Sequence, residues 1–156
     1  MDETAAMRRA IALSRESVAQ GGGPFGAVVL GADGRALGEG ANRVVPDADP
    51  TAHAEVVAIR AACRAAGTHD LSGATLVTSC EPCPMCLAAA WWARVRAVVY
   101  GNTRGDAARI GFDDAALYEE VARPLDARAL PLRRLLAGEA AEAFALWEAK
   151  ADRVPY

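Results

Sequence analysis

Two short stretches of the chain collect the residue types that hold and use a metal ion. His53-Ala54-Glu55 opens one expected helix and Pro82-Cys83-Pro84-Met85-Cys86 opens another, each after a proline-marked turn. Cysteines three apart in a helix's first turn project to the same side, and the positive end of the helix dipole favours their thiolates. With His53 as third ligand, one imidazole and two thiolates make a donor set suited to Zn²⁺, and three protein ligands leave the fourth tetrahedral position to water. An open position implies catalysis. Glu55, two residues from His53, is placed to take a proton from that water and pass it to a leaving group, which is the chemistry of a zinc hydrolase. The structural alternative is a closed zinc knuckle with Cys80 as fourth ligand. It would draw on a strand-end cysteine and leave Glu55 idle.

The remaining polar and aromatic candidates have plainer explanations beside the functional ones. Cys63 falls on the apolar stripe of its helix and reads as a buried structural thiol, and His69 follows that helix in a polar loop. Trp91 and Trp92 are adjacent on a helix, so they cannot face the same way; Trp92 fits either core or interface packing or the lining of a pocket. Asn42, at a strand end, is by default a turn residue. Asp113 and Asp114 precede a helix, where at least one of them serves as N-cap.

The elements that must position these residues follow from periodicity. Met7, Ala10, Ile11, Ser14 and Val18 recur at helical spacing over residues 4–19, and Gly21 to Gly23 stop that helix. Two short strands follow at 25–30 and 35–41, with Asp33-Gly34 as the hairpin turn between them. Asp49-Pro50-Thr51 opens a second helix with Ala52, Val56, Ile59, Cys63 and Ala66 on one stripe, closed by Gly67. Residues 75–78 form a buried strand, Pro82 and Pro84 start a third helix through Ala93, and residues 97–100 form another strand. Strand, helix and strand joined this tightly predict parallel pairing in a helix-covered sheet. Further on, 113–121 reads as a short helix, 130–136 as a strand, and 139–151 as a final helix with Ala140, Phe144, Trp147 and Ala151 on one face. The tail 152–156 is expected to be irregular. The fold class expected is α/β, a three-layer α/β/α domain over residues 1–156 with a mixed sheet of about five strands, antiparallel at its start.

Composition excludes several classes. With 156 residues, 53% hydrophobic and 24% charged, and a mean hydropathy of +0.08, the chain is sized and composed for one core and is not disordered. No apolar run nears the roughly 20 residues of a membrane span, and MDETAAMRR lacks a signal peptide's apolar stretch, so no membrane role and a cytoplasmic location are expected. The net charge is −3, and the only adjacent basic pairs are Arg8-Arg9 and Arg133-Arg134. A nucleic-acid partner normally calls for a basic stripe, so none is expected. Four cysteines, three of them between 80 and 86, favour metal binding over disulfides.

His53-Ala54-Glu55 with Pro82 to Cys86 resembles the cytidine deaminase-like superfamily, in which HxE and PCxxC act together. The narrower resemblance is to bacterial guanine deaminases. It rests on GGPFGAVV at 22–29, DPTAHAEVVAIR at 49–60, TSCEPCPMCL at 78–87, WAR at 92–94, GFDD at 111–114 and the terminal Tyr156. This resemblance implies a cytidine deaminase-like fold, one zinc per chain on His53, Cys83 and Cys86, and Glu55 as proton shuttle. It also implies that Asn42 hydrogen-bonds a small-molecule purine base, that the Ala54 amide contacts the reacting edge, and that Phe25 and Trp92 bracket the ring. Asp114 would recognise the 2-amino group and assist proton transfer. The family further implies a homodimer in which the C-terminal helix and tail, 139–156, swap so that Tyr156 lies over the partner's pocket. Guanosine deaminases and tRNA adenosine deaminases share the zinc motifs, and the sequence does not decide free base against nucleoside. Ala88 and the stretch 151–155 depart from the family pattern.

Overall fold

A computed structural model describes residues 1–156. Its elements run α1 (Glu3–Ala19), β1 (Gly26–Leu30), β2 (Ala36–Ala41), α2 (Ala54–Ala66), β3 (Thr75–Cys80), α3 (Pro84–Trp92), β4 (Ala97–Asn102), α4 (Arg104–Arg109), α5 (Asp114–Ala122) and α6 (Ala137–Ala149). The chain divides into two units, Met1–Tyr118 and Glu119–Tyr156.

In the first unit the strands form one sheet in the order β2-β1-β3-β4. β1 is antiparallel to β2 and to β3, whereas β3 and β4, joined through α3, are parallel, as the short strand-helix-strand run predicts. The β1–β2 turn forms at the expected place: Gly34 takes φ +79° and the Asp33 carboxylate accepts from the Arg35 backbone at 3.0 Å.

Alternate residues of β1 separate two apolar layers. Val28 and Leu30 pack with Ala6, Ala10 and Leu13 of α1, while Ala27 and Val29 pack with Ala54, Ala58, Ile59 and Ala62 of α2 and Ala90 of α3. The sheet thus lies between α1 on one face and α2 and α3 on the other. Glycine sets how closely the helices approach it. A Cβ on Gly26 would stand 2.2 Å from the carbonyl oxygen of Ala10, and one on Gly40 would stand 2.1 Å from that of Ala54.

The structure corrects three expectations. The buried stripe of α1 is Ala6, Ala10, Leu13 and Ser17, whereas Ile11 and Val18 are exposed. Close approach to the sheet selects alanine and serine over the larger side chains one position away. The buried face of α2 likewise runs through Ala58 and Ala62, leaving Ala66 exposed and Cys63 half-buried. The sheet has four strands, not about five, because residues 130–136 form no ladder. Pro131 brings no N–H to a ladder, and the Leu130 amide is taken by the Glu120 carboxylate at 3.1 Å.

The second unit contains the end of α5, a 3₁₀ turn at Leu125–Ala127, and α6, followed by an irregular tail. None of its residues is buried, and Leu130, Leu135, Phe144 and Leu146 each expose about two thirds or more of their surface.

Candidate active site

The N-terminal ends of two helices of the first unit bring the expected ligands together. His53 is the N-cap of α2 and Cys83 that of α3, and neither spends its side chain on capping. Pro84 at the first position of α3 needs no N–H partner and presets the helical φ, which sets Cys83 and Cys86 one turn apart. The Cys83 and Cys86 sulfurs are 3.6 Å apart and lie 3.6 and 3.5 Å from His53 Nδ1. Tetrahedral zinc with ordinary Zn–S and Zn–N bonds requires S···S of about 3.8 Å and S···N of about 3.6 Å. The triangle therefore has the edge lengths that the ion demands.

The electrostatics of the triangle agree. Cys83 is drawn down, chiefly by its hydrogen bond with Cys86 and further by His53, while that same bond and burial push Cys86 up. A divalent cation held among these three groups would let both sulfurs be thiolates. Cys80 stands apart. Its Sγ lies 3.7 Å from the Thr103 carbonyl, burial raises it to about 11, and it is outside the ligand group, which removes the closed-knuckle alternative.

Glu55, in the first turn of α2, is only 4% exposed. Its carboxylate accepts from the Thr78 hydroxyl at 3.2 Å and from Cys86 Sγ at 3.4 Å, and burial raises its affinity for a proton. A carboxylate in that environment is suited to taking up a proton and releasing it again.

His53, Glu55 and Cys83 line a cavity of about 460 Å³, a volume within the range of small-molecule sites. Phe25 and Phe112 form one wall, their rings edge to face at 84° with centroids 4.8 Å apart. Asn42 is 6% exposed, and its Oδ1 accepts from the amides of Gly23 at 3.1 Å and Val44 at 3.3 Å. With that oxygen occupied, Asn42 offers the cavity its amide N–H donors. Asp113 accepts from the Ala116 amide and caps α5, leaving Asp114 in the first turn to line the cavity. Burial and the Cys83 sulfur raise the Asp114 carboxyl. Ala54 is the first residue of α2, where helix geometry supplies its N–H with no partner inside the helix.

Two expected substrate contacts lie elsewhere. Trp92, at the end of α3, is 53% exposed and outside the cavity lining, with the Arg94 guanidinium 6.0 Å from its ring. Tyr156 belongs to the second unit and is exposed. Other residues in the site were not singled out from sequence. The buried Ser17 hydroxyl donates to the Asn42 carbonyl at 2.8 Å and so fixes the backbone that carries Asn42. Its signal is a serine one turn beyond Leu13 on the otherwise apolar inner face of α1. Phe112 and Glu81 sit inside the GFDD and TSCEPCPMCL blocks.

Comparison with known proteins agrees with this geometry. Residues 1–102 match the family model of the cytidine and deoxycytidylate deaminase zinc-binding region. The chain is 45% identical over 157 aligned residues to guanine deaminase of Bacillus subtilis, covering 100% of both chains. The X-ray structure of the B. subtilis guanine deaminase superposes with a TM-score of 0.94 at 44% identity, over 100% of this chain and 99% of that one. A mutant protein solved in complex with 8-azaguanine matches with a TM-score of 0.71 at 36% identity, over 93% of this chain and 82% of that one. With its open His-Cys-Cys triangle, its buried carboxylate and a full-length relative, the chain belongs to the zinc-binding cytidine and deoxycytidylate deaminase family, on its guanine deaminase branch.

Proposed function

We propose that the protein hydrolyses free guanine to xanthine and ammonia, using one zinc ion per chain held by His53, Cys83 and Cys86. The observation that carries this reading is a pair of carboxylates in one cavity that are not spent on an ion pair, Glu55 beside the ligand triangle and Asp114 also in the lining, whereas the third, Glu81, is held by Arg104. Zinc bound there supplies Lewis-acid activation of a water molecule. Water adds to C2 of the purine, the bond from C2 to its amino nitrogen breaks, and ammonia leaves. Glu55 accepts the water's proton, delivers it to the adjacent ring nitrogen, and then serves the departing amine. Asp114 accepts from the 2-amino group, Asn42 donates to a ring acceptor, and the Ala54 amide meets the reacting edge. Phe25 packs against the ring, and Tyr156 of a second copy covers it. Support for the purine comes from the relative that bears guanine deaminase as its name and from the neighbour solved with 8-azaguanine.

The active form is a homodimer with swapped C-terminal segments. This rests on the family resemblance and on a second unit that buries none of its own apolar side chains. A cytoplasmic site of action fits the need to keep Cys83 and Cys86 reduced; no helix is long and apolar enough to cross a membrane.

Ammonia release from guanine, guanosine, adenine, cytosine and cytidine tests the substrate. Guanine is expected to be fastest, and Asp114→Ala to lower its turnover by orders of magnitude, since a site built on hydrogen bonds loses more than one built on packing. Faster release from cytosine or cytidine than from guanine overturns the substrate assignment.

A further inference from the structure

Asp114 has to be held in place by something other than its own helix. Within one chain α5 contains no buried residue, so apolar docking inside the chain does not fix the helix's rotation and depth. Tyr118 is one turn after Asp114 and therefore on the same face of α5. Its hydroxyl donates to the Pro82 carbonyl at 2.8 Å, across 36 residues of sequence. Its ring lies 4.0 Å from the Arg104 guanidinium, well inside cation–π range.

Arg104 is itself held from two directions. Its Nε and Nη2 donate to Glu81 Oε1 at 2.9 and 2.6 Å, and its backbone amide donates to Oε2 at 2.9 Å. The Thr103–Asp106 capping box fixes the turn that presents it, and the Glu81 amide donates to the Asn102 carbonyl at 2.8 Å, tying the pair to the ends of β3 and β4. A continuous path of bonds thus runs from the sheet through Glu81 and Arg104 to the Tyr118 ring. The Tyr118 hydroxyl meanwhile ties α5 to the residue just before the ligand Cys83.

We infer that Tyr118, clamped between Arg104 and the Pro82 carbonyl, is a positioning residue that sets the Asp114 carboxylate against the reacting edge of the substrate. The inference rests on the purine reading of the site given above. The segment before the helix is anchored by the Phe112–Phe25 contact and by the Phe112 amide donating to the Ala107 carbonyl at 3.1 Å, and Gly111, at φ +95°, makes the turn that precedes Phe112. The clamp on Tyr118 then sets the helix face that carries Asp114.

The test is a double-mutant cycle on the zinc-loaded enzyme, with guanine as substrate. Tyr118→Phe keeps the ring over which Arg104 lies and deletes only the hydroxyl. It is expected to lower kcat about ten- to a hundredfold, the cost of a misplacement on the order of 1 Å, with zinc content and melting temperature unchanged. In an Asp114→Asn background the same change is expected to have no further effect. Arg104→Lys, which loses the planar stack and the fork to Glu81, is expected to lower kcat in the same Asp114-dependent way. Equal losses in both backgrounds, or an undiminished kcat in Tyr118→Phe, overturn the clamp while leaving the parent's guanine turnover intact. A parent without guanine turnover overturns instead the reading on which the clamp rests.

Discussion

Glu55 works in a setting that would be unfavourable for an ordinary surface carboxylate. It is buried, it receives one hydrogen bond from Thr78, and it stands 3.4 Å from the Cys86 sulfur. Burial makes the protonated form easier to reach, which suits the proposed role of taking a proton in one half of the reaction and giving it up in the other. Replacing it with glutamine keeps the shape and a hydrogen-bonding partner for Thr78 but removes the base. Glu55→Gln is therefore expected to retain zinc and lose turnover by on the order of 10²–10⁴ or more. Cys83→Ala, which breaks the ligand triangle, is expected to lose both. Metal analysis beside an ammonia assay separates the two outcomes, and near-normal turnover in Glu55→Gln would defeat the proton-shuttle role. His53, Glu55, Cys83 and Cys86 were legible in sequence because each pair's spacing within a helix's first turn constrains its geometry directly. Ser17, Thr78 and Tyr118 were not, because each meets its partner across 25, 23 and 36 residues, separations over which local periodicity says nothing.

At the scale of elements, the site depends on how closely α2 lies on β2. Gly38 and Gly40 point toward that helix, and a Cβ on Gly40 would come within 2.1 Å of the Ala54 carbonyl oxygen and 2.6 Å of the Ala58 nitrogen. Backbone atoms cannot swing aside as a side-chain tip can. Gly40→Ala must move the start of α2, which carries the proposed metal ligand His53 and the proposed proton shuttle Glu55. The expected result is a destabilisation of about 1–3 kcal/mol or more, from overpacking, with reduced zinc occupancy. Denaturant unfolding with metal analysis checks it, and a variant that matches the parent in both would show that α2 can yield without disturbing the site. The same close packing explains why α1 and α2 were legible as helices while their inner faces were not fully so. When alanines occupy several faces, hydrophobicity does not distinguish the side that touches the sheet, and the need for small side chains there becomes visible only once the sheet is in place. α4 is six residues long, too short for periodicity to reveal, although Thr103 and Asp106 form a capping box that is visible in the sequence. The leucine-rich stretch 130–136 suggests a strand by composition, but Pro131 and the absence of a ladder partner leave it irregular.

For the whole molecule, the two units have unlike surfaces. The first encloses its apolar residues in two layers about the sheet, whereas the second leaves Leu130, Leu135, Phe144, Leu146 and Val154 exposed. Apolar side chains in that number on so short a segment are ordinarily covered by another surface, and the proposed swapped dimer provides one from a second copy of the chain. In that arrangement the residues 152–156 have a task distinct from folding. They would close a partner's pocket, exclude bulk water from the reacting edge and exclude a polymeric substrate, in keeping with a net charge of −3 and a small free base. Deleting 152–156 is expected to leave the zinc content and the dimer, read by light scattering, intact while strongly reducing guanine turnover. The decisive form of the experiment pairs two inactive chains. A Glu55→Gln chain keeps its tail but has no base, and the truncated chain keeps its base but has no tail. Coexpressed as a mixed dimer, they complete one pocket if the tail acts on the other chain, and none if it acts on its own. Recovered turnover in the mixed dimer is the expected outcome. Undiminished turnover in the truncated homodimer would remove the lid role altogether and make guanosine and tRNA substrates the next to be assayed.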